Sequence, residues 1–176
     1  VVGAGGSWNP SFSADGSLVA TMWLAESTVR VNDTDTGAIV AEFPDLAARI
    51  VELSPDGQQL VVASTWQTEL APDGSTIDVP PAVTIIAIDT GDEIMTFEGL
   101  DEEVIEVAWS PSGDRIATGG SDGTVRVWDA ATGVMTSVGT GHQTSIVGLD
   151  WSGDGSRIAT GGNDGTARVW DIGDDA

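Results

Sequence analysis

The chain has 176 residues, a length that fits one domain with a sizeable core. Its 28 Asp and Glu residues stand against only 6 basic residues, all of them Arg, and the formal charge is -22. Nucleic acids and anionic membranes bind clustered Lys and Arg, so this charge argues against both as partners.

The composition removes several further classes of site. The absence of cysteine excludes disulfides, thiolate nucleophiles and Cys-based metal centres. No apolar run approaches the ~18 residues of a membrane span. The sequence begins at Val1 without a basic n-region, so no targeting segment is visible in it. The compartment is left open, with the cytoplasm favoured over an extracytoplasmic setting.

Short predicted strands follow one another along the chain in four groups. Period-2 apolar stretches such as 104–109 and 124–128 indicate strands, and Pro-Asp-Gly, Ser-Gly-Asp and Asp-Gly sequences indicate turns. The predicted strands are 8–13, 17–22, 28–33 and 38–43, then 48–54, 58–65, 83–89 and 93–98, then 104–110, 114–119, 124–129 and 134–139, and finally 146–152, 156–161 and 166–171. Each group predicts a small antiparallel sheet, so the expected fold class is all-β.

The four groups are copies of one repeat. Segments 109–129 and 151–171 match at a shift of 42 residues, and both end in Trp-Asp. Weaker copies begin at Phe12 and Leu53, where Asn32 and Ile88 stand in place of the second Trp of each strong copy. From Leu53 to Trp109 the step is 56 residues, 42 plus 14, so the second repeat carries an insertion at about 67–81.

A period near 42 that ends in Trp-Asp resembles the WD40 repeat. The resemblance implies β-propeller blades, each a four-stranded antiparallel sheet, in a single domain. The repeats would lie at about 1–43, 44–98, 99–139 and 140–176, with the last blade lacking an outer strand of its own. This predicts a partial or four-bladed propeller.

In that family a well-formed repeat contains a buried network of Asp, His, Ser or Thr, and Trp. The resemblance maps the network of the fourth repeat onto Asp164, His142, Thr160 and Trp170. In the third repeat it maps onto Asp122, Thr118 and Trp128, with Leu100 in place of the His. In the first two repeats only Thr21 and Ser64 remain, and those blades are expected to be less rigid because partly satisfied networks stabilise poorly.

His142 is the single histidine, and a lone His invites a catalytic or metal-binding interpretation. It follows Gly141 at the place of the family's Gly-His pair, so we expect a buried hydrogen-bonding role instead. The run 33–37 resembles the start of a calcium loop, yet it aligns with the ordinary turn at 129–133. No catalytic triad or phosphate-binding loop is present, so no catalytic residue, cofactor or metal ligand is predicted.

Three tryptophans, Trp8, Trp23 and Trp66, are not explained by the repeat. Alignment places Trp23 and Trp66 at the end of the second strand, and Trp8 in register with Arg49 near the same end of the inner strands. Trp8, Trp23, Arg49 and Trp66 then form a partner-binding rim, since grouped exposed aromatics anchor interfaces. The alternative is that the Trp side chains fill core space, and that the insertion beside them is a tolerated surface loop instead of a binding loop.

The resemblance implies a non-catalytic protein–protein interaction scaffold or sensor module, part of a larger signalling or regulatory protein. The third and fourth repeats resemble those of bacterial WD40 proteins. A small-ligand-binding, metal-binding or enzymatic propeller that uses channel carboxylates is the alternative. The expected partner is a protein, basic or neutral in charge. The array itself is a fragment of a longer one, a half-propeller that self-associates to complete eight blades, or a closed four-bladed propeller.

Overall fold

A computed structural model of the chain describes residues 7–23, 27–46, 48–64, 67–70, 73, 75–97, 100 and 102–173, without the side chains of residues 7–9, 67 and 69. Every regular element in these ranges is a strand, and no helix in them could cross a membrane. The strands are β1 (Ser7–Phe12), β2 (Leu18–Trp23), β3 (Thr28–Asp33), β4 (Ile39–Phe43), β5 (Ala48–Leu53), β6 (Gln59–Ser64), β7 (Gln67–Leu70), β8 (Thr76–Val79), β9 (Val83–Ala87), β10 (Glu93–Phe97), β11 (Val104–Trp109), β12 (Arg115–Gly120), β13 (Thr124–Asp129), β14 (Met135–Thr140), β15 (Ile146–Trp151), β16 (Arg157–Gly162) and β17 (Ala167–Asp171). The all-β fold class is confirmed.

The strands form four antiparallel sheets arranged as propeller blades. Blade 1 has the order β1-β2-β3-β4, blade 2 the order β5-β6-β9-β10, and blade 3 the order β11-β12-β13-β14. Blade 4 is the three-stranded sheet β15-β16-β17, and β7-β8 form a separate two-stranded hairpin. The inner strands β1, β5, β11 and β15 lie side by side in that order, so successive blades pack face to face.

A local carboxylate turn closes the first hairpin of each blade. In blade 1 the hydroxyl of Ser13 donates to Asp15 Oδ1 at 2.7 Å and accepts the N–H of Leu18 at 3.0 Å. The N–H of Ser17 and the hydroxyls of Ser13 and Ser17 lower the pKa of Asp15 to about 2. The same serine recurs as Ser54, Ser110 and Ser152. These turns form from neighbouring residues alone, which explains why the sequence shows them so clearly.

The hydrophobic core lies between the blades. Three clusters fill the spaces between blades 1 and 2, 2 and 3, and 3 and 4. One apolar residue at the end of each inner strand packs into the face of the preceding blade: Leu53 in blade 2, Trp109 in blade 3 and Trp151 in blade 4.

The turn also fixes the register of blade 2, which differs from the sequence alignment by two residues. The N–H of Gln59 donates to Ser54 Oγ at 2.9 Å, as the N–H of Arg115 donates to Ser110 Oγ at 3.0 Å in blade 3. Leu60 then pairs with Ile86, just as Ile116 pairs with Trp128. Ile86, and not the predicted Ile88, therefore occupies the place of the signature Trp.

The same register corrects the network residue that was expected in blade 2. Val62 takes the position of Thr118, and Ser64 takes that of Gly120. Val62 and Ile86 are both buried in the cluster between blades 1 and 2. Blade 2 thus has an apolar pair where blades 3 and 4 have a hydroxyl and an indole, so no partly satisfied polar network lies at this place in blade 2.

Candidate functional site

The polar residues predicted for the fourth repeat lie together in blade 4. His142 Nε2 is 2.9 Å from Thr160 Oγ1, and its Nδ1 is 3.1 Å from both carboxylate oxygens of Asp164. The indole N–H of Trp170 donates to the same Thr160 hydroxyl at 2.9 Å. Both imidazole nitrogens of His142 face hydrogen-bonding partners inside the blade, as expected of a residue whose role is to stabilise the fold.

Asp164 joins this network to the backbone of the preceding loop. Its carboxylate accepts the N–H of Gln143 at 3.0 Å, and both the N–H and the hydroxyl of Thr166, at 2.9 Å and 2.7 Å. The N–H of Gln143, followed by the groups of Thr166, lowers the pKa of Asp164 well below its usual range. The carboxylate is a fixed acceptor that holds the loop on the blade.

In blade 3 the predicted network residues form two separate sets of hydrogen bonds. The indole N–H of Trp128 donates to Thr118 Oγ1 at 3.0 Å. Asp122 instead accepts from Arg126 Nη2 and from the N–H of Thr124, both at 2.9 Å. Leu100, at the place of the His, is buried in the core cluster between blades 2 and 3.

In blade 1 the indole of Trp23 makes the hydrogen bond that the signature Trp makes in blades 3 and 4. The equivalent residues in blades 3 and 4 are Gly120 and Gly162, where an added Cβ would collide with Asp122 and with His142. In blade 1 the half-buried indole of Trp23 donates its N–H to Thr21 Oγ1 at 3.2 Å, and the guanidinium of Arg30 lies 5.1 Å from the ring centre. These contacts fit the core alternative for Trp23.

The rest of the predicted rim is described only in part. The side chain of Trp8 and the whole of Trp66 lie outside the described residues. Trp66 lies two positions beyond Ser64, the true equivalent of Trp23. Arg49 is exposed and forms an ion pair with Glu103 at the start of blade 3. A partner-binding role for this rim stays a prediction.

We expect His142→Ala to lower the free energy of unfolding by about 1–3 kcal/mol, because Thr160 and Asp164 lose a buried partner. The control is His142→Leu, since Leu100 fills this place in blade 3. It restores the volume but not the hydrogen bonds, so it should be intermediate. Urea denaturation of both variants measures this, and an unchanged stability of His142→Ala would contradict a structural role.

Two inner-strand carboxylates line a cavity of about 330 Å³ along β1, β5 and β11. Glu52 Oε2 accepts the N–H of Trp109 at 2.9 Å across the boundary of blades 2 and 3. Burial raises the pKa of Glu52 to about 8, with a further contribution from the negative charges of Asp150 and Glu106. Burial also raises the pKa of Glu106. Glu52 is engaged in packing blade 3 on blade 2.

The run that resembles a calcium loop is an ordinary turn. Asp33 Oδ1 accepts the N–H and the hydroxyl of Thr36 at 2.8 Å and 2.6 Å, and Asp129 holds Thr132 in the same way. Within the described ranges no group of three or more His, Asp and Glu side chains is placed to hold a metal ion.

Sequence reasoning missed a groove of about 550 Å³ between the outer parts of blades 1 and 2. Val40, Ile88 and Ile94 supply its apolar wall, and Asp89 lies at its edge. The exposed aliphatic residues of the outer strands are the only sequence signal for it, and they look like ordinary strand residues.

The insertion in the second repeat folds as a hairpin that stands apart from the blades. Ser64 closes its base, because its N–H donates to Ala82 O and its hydroxyl accepts the N–H of Ala82, both at 2.9 Å. Beyond this base Leu70 is 77% exposed and Ile77 is 52% exposed. Ile77 pairs with Glu69, and successive residues of a strand alternate in direction, so Leu70 and Ile77 face opposite sides of the hairpin.

Comparison with known proteins gives one family-model match and several similar relatives. The family model described as WD domain, G-beta repeat matches residues 91–129 and 134–171. The WD repeat-containing protein VIP3 of Arabidopsis thaliana is 32% identical over 122 residues, which cover 64% of this chain and 36% of that protein. The WD40 repeat-containing protein HOS15 of Arabidopsis thaliana is 31% identical over 91 residues, which cover 49% of this chain and 15% of that protein. The Protein HIRA of Oryza sativa subsp. japonica is 38% identical over 45 residues, 26% of this chain and 5% of that protein.

The chain thus spans well under half the length of these relatives. Each matched repeat begins near the outer strand of one blade and ends with the third strand of the next, from β10 to β13 and from β14 to β17. The repeat therefore links neighbouring blades covalently, which agrees with the face-to-face packing. Residues 91–129 and 134–171 are therefore WD40 repeats.

Proposed function

We propose that this chain is a non-catalytic protein-interaction module within a larger regulatory protein. The observation that carries the proposal is the β7-β8 hairpin of blade 2. It contributes no strand to a blade, and it presents Leu70 and Ile77 to solvent on a base closed by Ser64 and Ala82. Exposed apolar side chains on a protruding element support a role in binding a protein surface.

The charge of the hairpin suggests the chemistry of the partner. Segment 67–81 contains acidic residues and no Arg or Lys. Asp73 and Asp78 are among its exposed residues, and the hydroxyl of Ser75 lowers the pKa of Asp73 below its usual value. A partner with an apolar pocket bordered by Lys or Arg would complement it, and such binding should weaken as salt increases.

The test compares two double variants of the immobilised chain. Leu70→Ser/Ile77→Ser removes the apolar groups of the hairpin, and Val134→Ser/Val138→Ser removes similarly exposed groups from the edge of blade 3. Partners captured from an extract of the source cells are quantified by mass spectrometry, and the captured protein is then titrated against both variants. We expect the hairpin variant to lose at least tenfold in affinity, or about 1.4 kcal/mol, and the blade 3 variant to bind normally. Equal binding by both variants would overturn the assignment of the hairpin.

A further inference from the structure

Blade 2 lacks an arginine that the other three blades share. In those blades the arginine lies on the third strand, directly across from the threonine of the second strand. The pairs are Thr21–Arg30 in blade 1, Thr118–Arg126 in blade 3 and Thr160–Arg168 in blade 4. In blade 2 Val62 pairs with Thr84 instead. Thr84 therefore stands where each of the other blades has a guanidinium side chain.

The guanidinium groups of blades 1 and 3 lie beside the last residue of the second strand. That of Arg30 lies 5.1 Å from the ring centre of Trp23. In blade 3 Nη1 of Arg126 lies 3.4 Å from the position that a Cβ on Gly120 would take. The carboxylates that pair with these two groups are Glu42, at 2.8 Å, and Asp122, at 2.9 Å. The last residue of the second strand in blade 2 is Ser64.

A cavity of about 160 Å³ lies at this place in blade 2. This blade 2 cavity is bounded by Leu46, which follows the last strand of blade 1, and by the blade 2 residues Val62, Ser64, Thr84, Ile86 and Glu93. It exists because two side chains are small. Thr84 stands in the place of Arg126 and Ile86 in the place of Trp128, so that neither a guanidinium nor an indole fills the space.

The blade 2 cavity has an unpaired negative charge at its edge. Glu93 is exposed, and within the described ranges no hydrogen bond or ion pair engages its carboxylate. The chain as a whole has 28 acidic residues against 6 arginines, so its electrostatic field attracts cations. In blades 1 and 3 the guanidinium and the carboxylate both come from the same blade. In blade 2 the carboxylate is present and the cation is absent.

The size and the lining of the cavity suit a guanidinium group. A cavity of about 150 Å³ can hold benzene, and a guanidinium group is smaller. The buried side chains of Val62 and Ile86 offer apolar surface to its weakly hydrated planar faces. The Glu93 carboxylate and the Thr84 hydroxyl can accept hydrogen bonds from its edge. The ammonium group of a lysine is more strongly hydrated and would lose more hydration on entering.

We propose that the blade 2 cavity binds an arginine side chain of the partner protein, with the guanidinium paired to Glu93. This deepens the proposed function and rests on it for the nature of the partner, because the cavity lies at the base of the β7-β8 hairpin. Ser64 lines the cavity and also closes that base through its hydrogen bonds with Ala82. A protein surface that contacts Leu70 and Ile77 is thereby close enough to place an arginine in the cavity.

The first test uses N-acetyl-L-arginine methylamide as the probe, titrated into the isotope-labelled chain and followed through the amide NMR signals of Ser64 and Thr84. We expect saturable shifts at both residues, and weaker binding of the matching lysine compound. Glu93→Gln should weaken binding of the arginine probe by a factor of about two to five, the effect typical of an exposed ion pair. Asp92→Asn, which removes the exposed carboxylate next to Glu93 in the sequence, is the control and should bind the probe normally.

The second test supplies the guanidinium from within the chain. Thr84→Arg should place it in the cavity as Arg126 is placed in blade 3. Its thermal midpoint should then stay within about 2 °C of the parent value, and probe binding should be lost. Val134→Arg makes the same charge change at an exposed site on blade 3 and should bind the probe normally. The absence of shifts at Ser64 and Thr84, equal binding of the two probes, a large loss of stability in Thr84→Arg, or probe binding by that variant would each overturn the proposal.

The hairpin variant separates this inference from the proposed function. Leu70→Ser/Ile77→Ser should bind the probe as the parent does, because those side chains do not line the cavity. Against the captured partner Thr84→Arg should lose about tenfold in affinity, since the place of the partner's arginine is filled. A partner that needs the hairpin but binds Thr84→Arg normally would overturn the arginine site alone. Probe binding together with normal partner binding by the hairpin variant would overturn the proposed function alone.

Discussion

Trp128→Ala should lower the free energy of unfolding by about 3–5 kcal/mol, the cost typical of removing a fully buried aromatic side chain. The indole is 2% exposed between blades 2 and 3, and its ring centre lies 5.4 Å from that of Phe97. Its loss leaves a cavity and also removes the hydrogen bond to the buried hydroxyl of Thr118. Urea denaturation monitored by circular dichroism measures the change.

Trp170→Ala is the matched control, because Trp170 holds the same repeat position in blade 4 and makes the same bond to Thr160. Its side chain is only half-buried, so we expect a loss of about 1–2 kcal/mol. Trp128→Phe keeps a ring but leaves the Thr118 hydroxyl without its donor, and should cost about 1–3 kcal/mol. If Trp128→Ala and Trp170→Ala had equal effects, packing between blades 2 and 3 would not be the cause.

Glu52→Gln should stabilise the protein in alkaline solution by an amount on the order of a few kcal/mol. The folded-state pKa of Glu52 is about 8, against an ordinary value of 4.5, because the carboxyl is buried near Asp150 and Glu106. Between these values the folded chain keeps a proton that the unfolded chain releases. The wild-type stability therefore falls as pH rises from about 4.5 to about 8, and the glutamine variant lacks this loss.

The measurement is urea denaturation of both proteins at about pH 5 and about pH 9. The glutamine amide oxygen still accepts the N–H of Trp109, so the two proteins should differ little in acid. Asp150→Asn, which changes an exposed neighbouring charge, should flatten the pH dependence only slightly. A wild-type stability that changes no more between about pH 5 and about pH 9 than that of Glu52→Gln would show that Glu52 is ionised throughout. Glu106 titrates in the same direction and contributes the pH dependence that remains in Glu52→Gln.

The strands could be predicted because they depend on local signals, whereas the blade 4 network residues could be named only through the resemblance of the repeat to the WD40 family. Gly-containing turns with Asp and Ser mark the strand ends, and the Trp-Asp repeat at 109–129 and 151–171 aligns without gaps. In blade 2 these signals disagree with one another. Ala63-Ser64 looks like Ala117-Thr118, and a shift of two residues leaves the alternation of faces unchanged, so apolar pattern alone cannot reject it. The serine of the turn, Ser54, decides the register.

The position of Glu52 could not be predicted for a different reason. A Glu on a strand with alternating polarity is normally expected on a solvent-facing side. Its burial depends on the approach of blade 3, which brings the N–H of Trp109 to the carboxylate. Likewise, Trp23 is explained only by comparison with other blades. Asp122 lies against Gly120 and His142 lies against Gly162, whereas in blade 1 the equivalent residue is Trp23, whose indole donates to Thr21. Both features arise from packing between distant segments.

The residue before the last one of each inner strand differs from blade to blade: Ser11, Glu52, Ala108 and Asp150. Ser11 Oγ accepts the N–H of Leu53, and Glu52 Oε2 accepts the N–H of Trp109, both at 2.9 Å. At the boundary of blades 3 and 4, where Ala108 has no polar side chain, its carbonyl oxygen instead accepts the indole N–H of Trp151 at 3.1 Å. Blades with similar outlines are therefore not interchangeable. Recombination that changed the order of these repeats would place donors against groups that cannot accept their hydrogen bonds. Hydrogen bonding between blades therefore favours the present order of the blades along the chain.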